Sequence, residues 1–216
     1  MTHRTLLNPL LTAYLRSGVI EPDPLLTELR HKAAEAEGEI IQISPEQGAF
    51  LAALVRICKA RRIVEIGTHW GYSALWLASA AGHGAIVDTV EVDITRAQQA
   101  EMAFNSHPFG TEIRLHKGTA RAVLPTLQHR YYDLVFIDGE KKEYLEYLNL
   151  CTNLLTKGGV LIADNTLHKG RVATPALYKP STGVIVEFNR CLLESRNWFT
   201  SVVPIGDGMT VAVRIT

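Results

Sequence analysis

The sequence predicts an α/β domain, a mostly parallel sheet with helices on both faces, and three observations predict it. From residue 61 onward, short apolar runs alternate with longer segments of helical spacing. The runs are apolar at successive positions, as in Leu134-Val135-Phe136-Ile137, so neither face of those strands is left to water. Two final runs flank Gly206-Asp207-Gly208, a hairpin turn that makes the last strand antiparallel.

The elements follow in order. Leu6, Leu7, Leu10, Leu11 and Leu15 recur at helical spacing up to Gly18. A second helix follows Pro22 and Pro24 and ends near Gly38. A third opens at Ser44-Pro45-Glu46-Gln47, with serine as cap, proline at the first helical position and glutamine completing a capping box. Its residues Phe50, Leu51, Leu54, Val55 and Cys58 are expected to form one buried stripe. Strands are expected at 62–66, 85–92, 112–116, 133–137, 160–163, 199–205 and 210–215. Helices are expected at 73–81, 94–105, up to Leu127, and at 144–155. The turn Lys157-Gly158-Gly159 introduces the fifth strand.

The 216 residues fit one domain, with helices over 1–60 and the sheet over 61–216. Lys plus Arg and Asp plus Glu both number 22, so the basic excess expected of a nucleic-acid or membrane-surface partner is missing. Cys58, Cys151 and Cys191 are widely spaced among apolar neighbours, which suits core residues in a reducing compartment. Asn8, Pro9 and Thr12 interrupt any signal-peptide core, and no run reaches the ~20 apolar residues of a membrane span. A cytoplasmic location is the expectation.

In such a sheet ligands bind beyond the carboxyl ends of the strands, at the switch point. After the first strand comes Glu65-Ile66-Gly67-Thr68-His69-Trp70-Gly71-Tyr72-Ser73. Gly67 lets the backbone approach a ligand, and Gly71 opens a helix whose N-terminus favours a carboxylate. The pattern is not GxGxxG, which argues against a nicotinamide dehydrogenase. Glu91 closes the second strand and can accept the two hydroxyls of a ribose. Asp93 competes for that role but also suits a helix cap. Asp138 ends the fourth strand, and Asp164 and Asn165 end the fifth. Two carboxylates and a carboxamide suit a hard cation such as Mg²⁺; alternatively Asp138 caps a helix and Asp164 begins a loop. Lys141 can reach the same place and act as a base, and Lys142 beside it is as basic.

The segments VEIGTHWGYSALWLA, YDLVFIDGEKKEYLEY, GGVLIADNTLHKGRV and PIGDGMTVAVR, with ISPEQGAFLAAL before the first strand, resemble the cation-dependent class I O-methyltransferases, which include caffeoyl-CoA and catechol O-methyltransferases. The likeness spans nearly the whole chain. It implies a Rossmann-like, seven-stranded, mostly parallel sheet with an N-terminal helical extension. It implies S-adenosylmethionine as cofactor and Mg²⁺, Mn²⁺ or Ca²⁺ as cation. By position, Ile43, Glu65, Gly67, Thr68, Ser73, Glu91, Ala120 and Asp138 look like cofactor contacts. Asp138, Asp164 and Asn165 match the metal ligands, and Lys141 matches the catalytic lysine, working beside Asp138. His168 stands where plant members have tryptophan, and Glu140 where they have aspartate. These two, with Arg171, are expected to meet the acceptor, and the segment from His168 to Pro180 to govern its choice.

The expected reaction moves a methyl group to a hydroxyl of a small catechol-like or phenolic acceptor chelated to the cation. A metal-independent methyltransferase of the same fold and a non-catalytic cofactor-binding protein are the alternatives. The family's habit and the leucine-rich N-terminal helices imply a homodimer.

Overall fold

In the computed structural model, which describes residues 8–38, 41–127 and 131–216, the apolar runs become seven strands. They are β1 (Arg62–Ile66), β2 (Ile86–Glu91), β3 (Glu112–Lys117), β4 (Tyr132–Ile137), β5 (Leu155–Ala163), β6 (Trp198–Val203) and β7 (Met209–Arg214). They form one sheet in the order β3-β2-β1-β4-β5-β7-β6. The first five pair in parallel, and β7 runs antiparallel between β5 and β6. The order turns back between β1 and β4, so the crevice expected of such a sheet opens beyond their carboxyl ends.

Eight α-helices accompany the strands among the described residues: α1 (Pro9–Ser17), α2 (Pro24–Glu37), α3 (Pro45–Ile57), α4 (Tyr72–Ala81), α5 (Ile94–Phe104), α6 (Ala120–Val123), α7 (Tyr144–Leu154) and α8 (Pro180–Leu193). The period of two along each strand divides them into layers. Ile63, Leu134, Phe136 and Ile162 pack with Leu51 of α3, Leu75 of α4 and Phe104 of α5. Their neighbours Val64, Val135, Ile137 and Leu161 point the other way, toward Tyr144 and Cys151 of α7 and Ile185, Phe188 and Leu192 of α8. Each large apolar side chain buried this way contributes roughly 1.5–3 kcal/mol.

The helix signals act as read. Ser44 and Gln47 make the reciprocal capping box of α3, and Gly38 ends α2 in the left-handed conformation at φ 73°. Other expectations need correction. Only Leu51 and Val55 of the α3 stripe are fully buried; Phe50, Leu54 and Cys58 are half-covered. Strand β5 begins at Leu155, because Lys157-Gly158-Gly159 lies within it as an irregularity in its pairing with β4. Pro125 falls in a 3₁₀ turn, Leu124–Leu127, that cuts α6 to a single turn. Helix α8 was missed, although Pro180 at its first turn and Ile185, Phe188 and Leu192 at helical spacing signal it. Leu6 and Leu7 lie outside the described residues. Helix α1 buries none of its residues, and Leu10 and Tyr14 stand 83% and 72% exposed.

Candidate active site

The site begins where β1 and β4 end side by side. Gly67 has φ +97°, and a Cβ there would stand 2.3 Å from the Asp138 carbonyl oxygen. No other residue fits so close an approach. The amides of Gly67 and Thr68 donate to the Val90 carbonyl at 3.0 and 3.3 Å, tying the loop to β2. The His69 amide donates to Glu91 Oε2 at 2.7 Å, and the Asp93 amide to Glu91 Oε1 at 2.9 Å. Each oxygen of this buried carboxylate keeps lone-pair capacity for a ligand. Asp93 does something else: its side chain accepts from the amides of Thr95 and Arg96, capping α5.

Glu65 lies beneath this loop, fully buried. Its Oε2 accepts from Thr89 Oγ1 at 2.6 Å, and the Thr89 hydroxyl stands 2.5 Å from that of Thr68. Burial pushes the Glu65 carboxyl up to about 8, against the pull of the Ser73 and Thr89 hydroxyls. Glu65 does not line the cavity that opens above it, so the direct cofactor contact expected of it gives way to a support of the loop through the Thr89 and Thr68 hydroxyls.

Ile43, Gly67, Thr68, Ser73, Glu91 and Ala120 line a cavity of about 500 Å³, and so do Asp138, Glu140, Lys141 and Asn165. Lys141 Nζ donates to Asp138 Oδ1 at 3.1 Å and to the Gly139 carbonyl at 3.2 Å, and lies 5.7 Å from the centre of the Tyr144 ring. Lys142 is exposed, so the geometry separates the two lysines. The helix-cap alternative for Asp138 gives way, since the Glu140 carboxylate accepts from the Lys142 amide and caps the 3₁₀ turn Lys141–Glu143.

Asp164 is 3% exposed and sits behind the cavity wall, its Oδ1 accepting from Gln47 Nε2 at 2.8 Å. Burial, and then the charge of Asp138, push its carboxyl up to about 8. Burial raises Asp138 as well, opposed by Lys141. Asn165 follows at φ 55°, a conformation asparagine tolerates better than most side chains. Among the described residues no three His, Cys, Asp or Glu side chains gather as a metal-holding group. The candidate donors are two carboxylates that repel each other in a buried place, plus one carboxamide. That set has the oxygen-donor chemistry a hard divalent cation takes, and such a cation would relieve the repulsion.

His168 and Arg171 do not line the cavity. The His168 ring nitrogen Nδ1 is 2.9 Å from Thr182 Oγ1, at the start of α8. Arg171 reaches back to the His168 carbonyl at 3.4 Å. Both lie in the loop that leaves Asn165, where burial first, and then the charge of Arg171, holds the His168 ring below its ordinary value. Sequence reasoning gave no role at the cavity to Gln47, Arg96 or Tyr147. Arg96 lines the cavity and forms a bidentate pair with Glu37 of α2 at 3.0 and 2.9 Å. Tyr147 lines it too, donating to Glu143 at 2.6 Å. The Arg96–Glu37 pair spans 59 residues, and no local pattern announces it.

A strand-end crevice of this form on a seven-stranded sheet defines a class I methyltransferase fold, and the comparisons carry it further. The family model described as O-methyltransferase matches residues 17–215. The catechol O-methyltransferase of Niastella koreensis is 31% identical over 173 residues, 79% of this chain and 78% of that protein. The O-methyltransferase of Bacillus cereus, solved in complex with SAH, superposes with a TM-score of 0.87 at 28% identity, covering 95% of this chain and 97% of that one. TomG, an O-methyltransferase of Streptomyces achromogenes involved in tomaymycin synthesis and solved with SAM, gives 0.85 at 27% identity, over 95% and 96%. The chain belongs to the O-methyltransferase family.

Proposed function

We propose that this chain, acting as one domain in the cytoplasm, transfers the methyl group of S-adenosylmethionine to a hydroxyl of a small catechol-like or phenolic acceptor held on a divalent cation. One observation carries the reading: the candidate cofactor contacts other than the buried Glu65 line the same cavity as the pair Asp138 and Lys141. The SAH and SAM bound by the Bacillus and Streptomyces relatives support the cofactor. The name of the Niastella relative supports the acceptor class.

Glu91 would take the ribose hydroxyls, and the loop from Gly67 to Ser73, with Ile43 and Ala120, the rest of the cofactor. Asp138, Asp164 and Asn165 would hold the cation, Mg²⁺ before Mn²⁺ or Ca²⁺. Such a cation lowers the pKa of a bound hydroxyl and fixes its direction. Lys141 would receive or stabilise the proton leaving the acceptor, with Asp138 holding the ammonium once it has formed. Glu140, His168 and Arg171 are the candidate acceptor contacts. All three cysteines are free, in keeping with a reducing compartment, and no described helix is long and apolar enough to cross a membrane. The exposed Leu10 and Tyr14 of α1 support a homodimer, with light scattering as its check.

The test is a methyl-transfer screen over catechols, flavonoids and phenolic CoA esters, with and without chelator. Turnover that chelator abolishes and Mg²⁺ restores is the expected result. A second reading, metal-independent transfer, draws on the 3.1 Å contact by which Lys141 already partners Asp138. Full turnover in metal-free protein would select it.

A further inference from the structure

Gln47 sits in the first turn of α3 and serves two partners that lie far apart in the chain. Its Oε1 accepts from the Ser44 amide at 3.0 Å, while its Nε2 donates to Asp164 Oδ1 at 2.8 Å, across 117 residues. The two bonds determine which way the carboxamide faces. The Ser44 amide needs an acceptor and the Asp164 oxygen needs a donor, and among neutral side chains of this length only glutamine offers both. The side chain is 5% exposed. It is shut in by the hairpin turn as well, since a Cβ on Gly206 would stand 2.3 Å from Gln47 Cδ.

Each partner leads to a different end of the cavity. The Ser44 amide shares its peptide with the Ile43 carbonyl, and in a planar trans peptide fixing one fixes the direction of the other. Ile43 lines the cavity. Asp164 leads directly into Asn165, which lines it too. One carboxamide thus touches a backbone unit on the cofactor side and a carboxylate on the cation side.

We infer that Gln47 is a positioning residue that holds the Ile43–Ser44 peptide against the cofactor and the Asp164 carboxylate against the cation. The inference rests on the cofactor-and-cation reading proposed above. It assigns Gln47 a task beyond capping α3, because a cap needs only the Ser44 bond.

Calorimetry with SAH and with Mn²⁺, each titrated separately into the purified protein, tests it. Gln47→Leu removes both bonds at similar volume. It should weaken Mn²⁺ binding about 10–100-fold, the usual loss when a ligand's outer partner is removed, and SAH binding about 3–10-fold. Gln47→Glu keeps the acceptor for Ser44 and replaces the donor to Asp164 with an acid. SAH affinity should then return to within about twofold of the parent, while Mn²⁺ affinity should still differ by about fivefold or more. Should Gln47→Leu not fold, Gln47→Glu carries the test alone, as its capping box is intact. Mn²⁺ affinity unchanged in Gln47→Glu, or SAH affinity lost in it, overturns the inference. A parent protein that binds neither SAH nor Mn²⁺ refutes the underlying reading itself, and the inference with it.

Discussion

The loops that follow β1 and β5 reach the same cavity, but their backbones are held in place by different means. After β1, left-handed conformations occur at Gly67, His69 and Gly71, so glycine takes two of the three. After β5 they occur at Asn165, His168, Lys169 and Gly170, and glycine takes one of the four. A side-chain-bearing residue in that region costs on the order of 1–3 kcal/mol and persists only where its surroundings enforce it. For the β5 loop the surroundings are the hairpin turn. The Gly208 carbonyl accepts from the Thr166 amide and the Asp207 carbonyl from the Leu167 amide, both at 2.9 Å. The Asp207 side chain accepts from the Lys169 amide at 2.5 Å. The first loop is shaped by its own glycines and the adjacent strand, whereas the second is propped by a turn about forty residues downstream. The loop from Gly67 to Gly71 therefore rests on its own glycines and the neighbouring strands, and the loop that carries the candidate acceptor contacts His168 and Arg171 on a distant turn.

The largest expected effect breaks the first loop. Gly67→Ala drives a Cβ into the Asp138 carbonyl at a positive φ, and should cost about 3 kcal/mol or more of stability and abolish SAH binding. A parent-like denaturation midpoint and parent-like calorimetry would remove the close approach of β1 and β4 as the reason for glycine. Next comes the carboxyl beneath that loop. The folded value of Glu65, about 8, lies above its ordinary 4.5, so the folded state retains a proton that the unfolded chain has already released. The contribution of this carboxyl to stability is therefore full below about 4.5, falls as pH rises toward 8, and stays low above it. Glu65→Gln should stabilise the cofactor-free protein by a few kcal/mol at pH 9 and hardly at all at pH 4.5. Urea melts across that range giving a constant difference would contradict the buried acid.

Glu91→Ala should weaken SAH by about 1.5–3 kcal/mol, the worth of a hydrogen bond to a charged group, with the fold kept. Unchanged affinity would move the ribose role elsewhere, though Asp93 is already committed to capping α5. The smallest effect loosens the second loop. Asp207→Ala frees the Lys169 amide at an exposed site, for about 1 kcal/mol of stability. It should alter the relative kcat/KM among acceptors while SAH affinity stays level. If the acceptor ranking is the same in parent and variant, the hairpin does not support acceptor choice.

The same contrast explains what the sequence made legible. The capping box at Ser44 and the cap at Asp93 act over a few residues, so spacing and side-chain type announce them. Gly67 is announced by its place directly after an apolar strand, even though its reason, the Asp138 carbonyl, is tertiary. The strands were visible because Leu134 to Ile137 must satisfy an apolar layer on each side. The strand-end acids could be found because parallel strands bring their carboxyl ends together. What escaped depends on tertiary contact. The bond from Gln47 to Asp164 has no local signature, and neither has the pair that joins Arg96 to Glu37. The turn of the His168 ring toward Thr182 depends on where α8 packs, which no residue near His168 signals. The extension of β5 back to Leu155 reflects its partner β4, against a local Lys-Gly-Gly pattern that reads as a turn.

The position of β7 has a consequence for the order of synthesis. A nascent chain halted just short of Gly206 already carries every candidate cofactor, cation and acceptor residue. It has no partner for the outer edge of β5, and no Asp207 or Gly208 to hold Thr166, Leu167 and Lys169. On the ribosome the cofactor loop can take shape early, with β1, β2 and β4, while the loop that leaves Asn165 waits for its props. Competence to bind cofactor should precede competence to discriminate acceptors by the time needed to make and insert the final hairpin.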